Sequence, residues 1–134
     1  MDDPLPWRLE DPRRLRRQVH DAVWLRVVDV GRVLGARRYA REGRLVVEVK
    51  DAFCPWNQGR YALESGPDGA ECRRTQAEAG VRLDAVDLAA AYMGAVRLST
   101  LARAGRVEAS SEAALRSAEE MFVWHVAPWC PEVF

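Results

Sequence analysis

The 134 residues suffice for one domain with one core, and 49% hydrophobic against 30% charged residues is the composition of an ordinary soluble globular protein. Twenty basic residues balance twenty acidic ones, which gives no general electrostatic footprint for nucleic acid or a membrane surface. No run approaches the roughly eighteen apolar residues of a membrane span, and MDDPLPWRLEDP lacks the basic-then-apolar order of a signal peptide; the expected location is the cytoplasm.

In chain order, Asp11 and Pro12 suit the cap and first position of a short helix beginning at DPRRLRR. The arginines 13, 14, 16 and 17 lie among Glu10, Asp11 and Asp21, the pattern of a solvated or interface face. From Ala22 to Val28 the residues are apolar, β-branched and aromatic, with Arg26 alternating against Leu25 and Val27, which predicts a strand. Asp29 then caps a short helix, VGRVLGARR, with Val30, Val33 and Leu34 on one face.

Leu45 to Val49 predicts a second strand, and FCPWNQGR a loop. Arg60 to Glu64 and Ala70 to Arg74 predict a hairpin across SGPDG, and Val81 to Asp84 a further strand. The period then turns helical. Asp84 caps AVDLAAAYMG, with Val86, Leu88, Ala89 and Tyr92 expected inside and Gly94 as the stop. Leu98 to Ala104 follows as a helix opened by Ser99 or Thr100 and closed by Gly105. Ser110 or Ser111 caps EAALRSAEEMF, with Ala114, Leu115, Ala118 and Phe122 on one face. The expected fold is a single α+β domain over residues 1–134: a mainly antiparallel sheet of about five strands with helices packed on one face.

Chemical motifs are sparse. Cys54, Cys72 and Cys130 form an odd set with no CxxC pair, and with His20 and His125 they give no zinc-ligand spacing, so no metal is expected. Cys130 and His125 lack an orienting third group for nucleophilic catalysis. Trp24, Phe53, Trp56, Leu63, Leu83, Tyr92 and Met93 are candidates to line an apolar cavity between sheet and helices, with plain core packing as the competing role. The chain ends APWCPEVF, apolar and stiffened by Pro128 and Pro131, where loose tails are usually small and polar. Such a tail either packs on its own domain or is delivered elsewhere.

The blocks DPLPWRLEDPRRLRR, VWLRVVDV, DAFCPWNQGRYAL, LDAVDLAAAYMG, STLARAGRV and APWCPEVF, in this order, resemble the C-terminal sterol-carrier-protein-like domain of Eis-type (enhanced intracellular survival) N-acetyltransferases. The resemblance covers nearly the whole chain, and the PWNQGRY loop and PWCPEVF ending are its most specific parts. It implies a sheet backed by helices and partner acetyltransferase domains of the GNAT type, in cis or in trans, which bind acetyl-CoA. It further implies that the last residue enters the amine pocket of the first of those domains. There the α-carboxylate of Phe134 would act as general base, with Glu132 as a second negative charge near a cationic amine. Homo-oligomer formation is implied as well. The remaining reading is a stand-alone binder of sterol, lipid or another small apolar ligand.

No cofactor site is expected in this chain itself. Its closest approach to a pyrophosphate-binding turn, Arg32 to Arg37, ends on arginine and is expected to be helical. The general-acid tyrosine of the family lies in the absent domains, so Tyr39, Tyr61 and Tyr92 do not take its role. Alone, the chain is expected not to acetylate.

Overall fold

In the computed structural model of the protein, the structure describes residues 4–130 apart from 17, 19, 21 and 22. Asp11 does cap a helical turn, accepting from the Arg13 amide, but the turn is 3-10 and runs only over Pro12–Arg14. The first α-helix, α1 (Val30–Ala36), starts where Asp29 accepts from the Arg32 amide and buries Val30 and Leu34.

Strand β1 (Gly43–Lys50) alternates as its sequence requires, with Leu45, Val47 and Val49 buried and Arg44 and Lys50 exposed. Strands β2 (Gly59–Gly66) and β3 (Gly69–Arg74) form the expected hairpin, with Gly66 opposite Gly69 around Pro67 and Asp68. After β4 (Val81–Asp84) come α2 (Ala85–Tyr92), α3 (Leu98–Arg103), β5 (Val107–Ala109) and α4 (Glu112–Phe122). The sheet order is β3-β2-β1-β4-β5, antiparallel except for the parallel pair β1–β4.

The helices cover one face. A single core joins Val30 and Leu34 of α1, the inward residues of β1, β2 and β4, Leu88 of α2, Leu98 of α3, and Met121 and Phe122 of α4. The opposite face carries ion pairs across strands: Glu48 with Arg60 (2.9 Å) and Arg82 (3.4 Å), and Glu64 with Arg44 and Arg73. Side chains of period 2 thus send apolar residues to the helices and charges to water.

Four sequence expectations need correction. Residues 23–28 form no strand; Asn57 and Trp56 side chains occupy the carbonyls of Val27 and Val28, which a ladder would otherwise use. The fifth strand is instead β5, too short at three residues to stand out in the sequence. Neither Ser99 nor Thr100 caps α3: its N-cap is Arg97, and Glu119 of α4 accepts from the Ser99 amide at 2.8 Å. In α2, Val86 faces solvent and Asp87 is buried, because Ala85, Leu88, Ala89 and Ala91 form the inward face.

Candidate functional site

Two features outside the core stand out: the root of the C-terminal segment, and an aromatic surface beside the β1–β2 loop.

The root is organised by Arg37, the first residue after α1. Its Nε donates to the Tyr92 carbonyl at 2.8 Å, and its terminal nitrogens donate to the carbonyls of Phe122 and, at 3.5 Å, Met121. These carbonyls belong to the last turns of α2 and α4, where a helix leaves acceptors unsatisfied and its dipole favours a cation. The guanidinium also lies over the rings of Tyr39, Tyr92 and Phe122, with centroid distances of 4.7, 5.9 and 5.0 Å. Tyr39 donates to the Leu34 carbonyl at 2.8 Å and meets Phe122 edge-on at 5.6 Å; Tyr92 donates to the Val33 carbonyl at 3.2 Å. Burial pushes the Arg37 guanidinium down from its usual range, and the same burial pushes the Tyr39 phenol up. Arg37 therefore joins the ends of three helices at the point where Val123 leaves α4.

Gly94 closes the other side of this junction. At φ +84° it takes a left-handed conformation open to glycine, and a Cβ there would lie 3.1 Å from the Phe122 carbonyl and from Trp124. The chain then continues through Trp124, Val126 and Trp129, which are exposed. Glu132 and Phe134, to which the resemblance assigns substrate attraction and proton transfer, lie outside the described residues.

The aromatic surface is held from beneath by a buried polar knot. Asp51, almost wholly buried, accepts from the amides of Phe53 (3.0 Å) and Cys54 (2.9 Å), from Asn57 Nδ2 (3.0 Å) and from Arg26. Burial would raise its pKa, but these four donors outweigh it and hold the carboxyl below the usual carboxylate range. Asn57 also donates to the Val27 carbonyl (3.2 Å) and accepts from the Val30 amide (3.1 Å), so the loop is tied to the start of α1. Above the knot, Trp56 donates to the Val28 carbonyl at 2.8 Å and Phe53 lies 5.0 Å from the Arg26 guanidinium.

The candidate cavity residues separate. Leu63 and Leu83 are in the core and Tyr92 is at its margin, whereas Trp24, Phe53, Trp56 and Met93 stand at the surface. Two surface depressions of about 400 and 440 Å³ lie at the β2–β3 turn and beside Glu48, Arg60 and Arg74; neither is lined by any of the seven. The stretch Arg32 to Arg37 does not fit a pyrophosphate, because Arg32 to Ala36 lie inside α1 and a Cβ on Gly35 would meet the backbone of Cys72. Among the described residues no three His, Cys, Asp or Glu side chains gather to hold a metal, and no helix is long and apolar enough to cross a membrane.

Sequence reasoning missed Arg37, Asp51 and Asn57. Arg37 is one of nineteen arginines, and nothing in its neighbourhood marks it. Asn57 sits in a loop read for its turn formers, although a buried Asn needs partners for three or four hydrogen bonds and so fixes whatever surrounds it.

The profile of the sterol carrier protein domain matches residues 30–131, which span the sheet, the Arg37 junction and the Asp51 and Asn57 part of the knot. The chain belongs to the sterol carrier protein domain family. This sterol carrier protein domain is 45% identical over all 134 residues to an uncharacterized N-acetyltransferase of Streptomyces coelicolor, of which it spans 32%. It is 40% identical over 126 residues to the N-acetyltransferase Eis of Mycobacterium tuberculosis, covering 90% of this chain and 29% of that protein. The crystal structure of Eis1 from Mycobacterium abscessus superposes with a TM-score of 0.86 at 36% identity, over 100% of this chain and 34% of that one. The chain thus spans about a third of the length of the relatives it matches.

Proposed function

We propose that this domain is the accessory part of an acetyl-CoA-dependent N-acetyltransferase, packed on GNAT-type domains, and that its C-terminal segment supplies the general base. In this reading the tail enters the amine pocket, and the α-carboxylate of Phe134 takes the proton that the amine releases on acetylation. Glu132 adds negative charge that favours polycationic amines such as aminoglycosides. A free α-carboxyl titrates near 3.5, too low for efficient base catalysis at neutral pH, and burial in an apolar pocket raises it.

The observation that carries the reading is the Arg37 junction. A base delivered on a tail works only if the tail starts from a fixed point, and Arg37 holds the Phe122 carbonyl, one residue before the tail, against two other helix ends. Whole-chain similarity to proteins named N-acetyltransferases supplies the reaction class.

The test is made in the full-length protein. Adding two residues after Phe134 displaces the carboxylate by up to ~7 Å, and loss of general-base catalysis lowers kcat on the order of 10²–10⁴-fold. Deleting Phe134 is expected to be as damaging, while Phe134→Leu keeps the carboxylate and an apolar anchor and is expected to be mild. Undiminished kcat in the extended protein refutes the role of the tail.

A further inference from the structure

We infer that the exposed surface formed by residues 23–28 with Phe53 and Trp56 is where the acetyltransferase portion of the full-length polypeptide docks. Trp24 is 86% exposed, Phe53 78% and Trp56 61%, and Val23 and Val28 beside them are more than half exposed. Together these side chains present roughly 500 Å² of apolar area, at the upper end of what a soluble monomer leaves in water.

Three contacts tie residues 26–28 to the loop that carries Phe53 and Trp56. Trp56 bonds the Val28 carbonyl, Arg26 stacks on Phe53, and Asn57 bonds the Val27 carbonyl. It is also rigid from below, since Asp51 is buried and receives four donors. Trp and Arg side chains pre-set on a fixed base are the composition of an interface hot spot, where little ordering entropy remains to be lost on docking.

A second observation concerns the backbone. VWLRVV is strand-forming by composition, yet residues 23–28 join no strand of the sheet. Places where local preference and fold disagree are expected at functional or strained sites. The occupant follows from length: relatives matched over this whole chain are about three times as long and are named N-acetyltransferases. An interface within one polypeptide typically buries ~600–1,500 Å², counting both sides, which this patch and its counterpart can supply. The inference rests on the accessory-domain part of the proposed function and not on the chemistry of the tail.

Hydroxyl-radical footprinting of the full-length protein tests it. In the docked protein Trp24, Phe53 and Trp56 are expected to oxidise about tenfold more slowly than in the urea-unfolded chain, as residues in the desolvated centre of an interface do. A Trp24→Glu, Phe53→Asp double variant is expected to restore rapid oxidation at Trp56 while buried Tyr61 stays protected, which shows release of the surface without unfolding. Rapid oxidation of all three residues in the wild-type protein overturns the proposal. So does protection that vanishes on dilution, which assigns the surface to a second copy, or protection that appears only with added phosphatidylglycerol vesicles. The readout needs no catalysis: an extended tail that abolishes activity together with an unprotected patch refutes the docking surface alone.

Discussion

Replacing Arg37 by methionine in the 134-residue chain isolates the contribution of the junction. Methionine keeps most of the aliphatic packing among Tyr39, Tyr92 and Phe122 but donates nothing to the carbonyls of Tyr92 and Phe122. A hydrogen bond from a charged donor contributes about 1.5–3 kcal/mol, and the stacked cation about 0.5–1 kcal/mol more. Relief of the desolvated charge and hydration of the half-buried carbonyls offset part of this, leaving a net loss of about 3 kcal/mol. With an unfolding entropy of about 2.1 cal/mol/K per residue, that lowers Tm by about 11 °C, read by far-UV circular dichroism or calorimetry. Arg37→Lys is expected to recover less than half, because an ammonium cannot bridge two carbonyls and a ring in the fixed geometry of a guanidinium. A loss below about 1 kcal/mol in Arg37→Met, or full recovery with lysine, refutes the argument that the fork geometry matters.

Other substitutions test the neighbouring features. Gly94→Ala places a Cβ 3.1 Å from Phe122 and Trp124 at a positive φ, and is expected to cost about 2–3 kcal/mol in urea unfolding. Asp87 is buried and lies 2.6 Å from Arg106; burial outweighs the ion pair and raises its pKa. Arg106→Met is therefore expected to cost about 1–2 kcal/mol at pH 8, Arg106 being half in solvent, with part of the loss recovered as pH falls and Asp87 takes up a proton. Asp51 has the opposite sign. Its folded pKa is depressed, so its contribution is present above about pH 4 and is lost as pH falls through the folded value. Asp51→Asn is expected to lower the urea midpoint at pH 7 and to flatten its fall between about pH 5 and pH 2, and an unchanged acid limb counts against the knot.

The sheet and helices were legible where period and caps agreed. Asp29, Asp84 and Ser111 cap the helices they precede, and the alternation of β1 and the turn residues of the hairpin specify the centre of the sheet. Residues 23–28 misled because composition reports what a segment can pair with, not whether a partner is in reach. Strand β5 and the cap of α3 were invisible for the converse reason: three residues carry no period, and Glu119 reaches Ser99 across 20 positions. At the candidate site, the aromatic residues of the loop were visible as a group but were expected to face inward. Their exposure follows from Asp51 and Asn57, which fill the space beneath with polar side chains. The ends of the described chain add Trp7 and Trp129 to the exposed aromatics.

The Arg37 junction also sets an order of events. Its hydrogen bonds to Met121 and Phe122 join positions 84 and 85 residues apart. Contacts of such separation form late, because the intervening chain must close before they contribute. The root of the tail is thus assembled only after α1 and the sheet have found α4. A nascent or partly unfolded domain has no fixed point from which to extend its C-terminal segment, and on the function proposed above the acetyltransferase stays silent until the fold is complete. Hydrogen exchange reads this directly: the Val123 amide, bonded to the Glu119 carbonyl, is expected to exchange with the globally unfolding core and not with the surface loops.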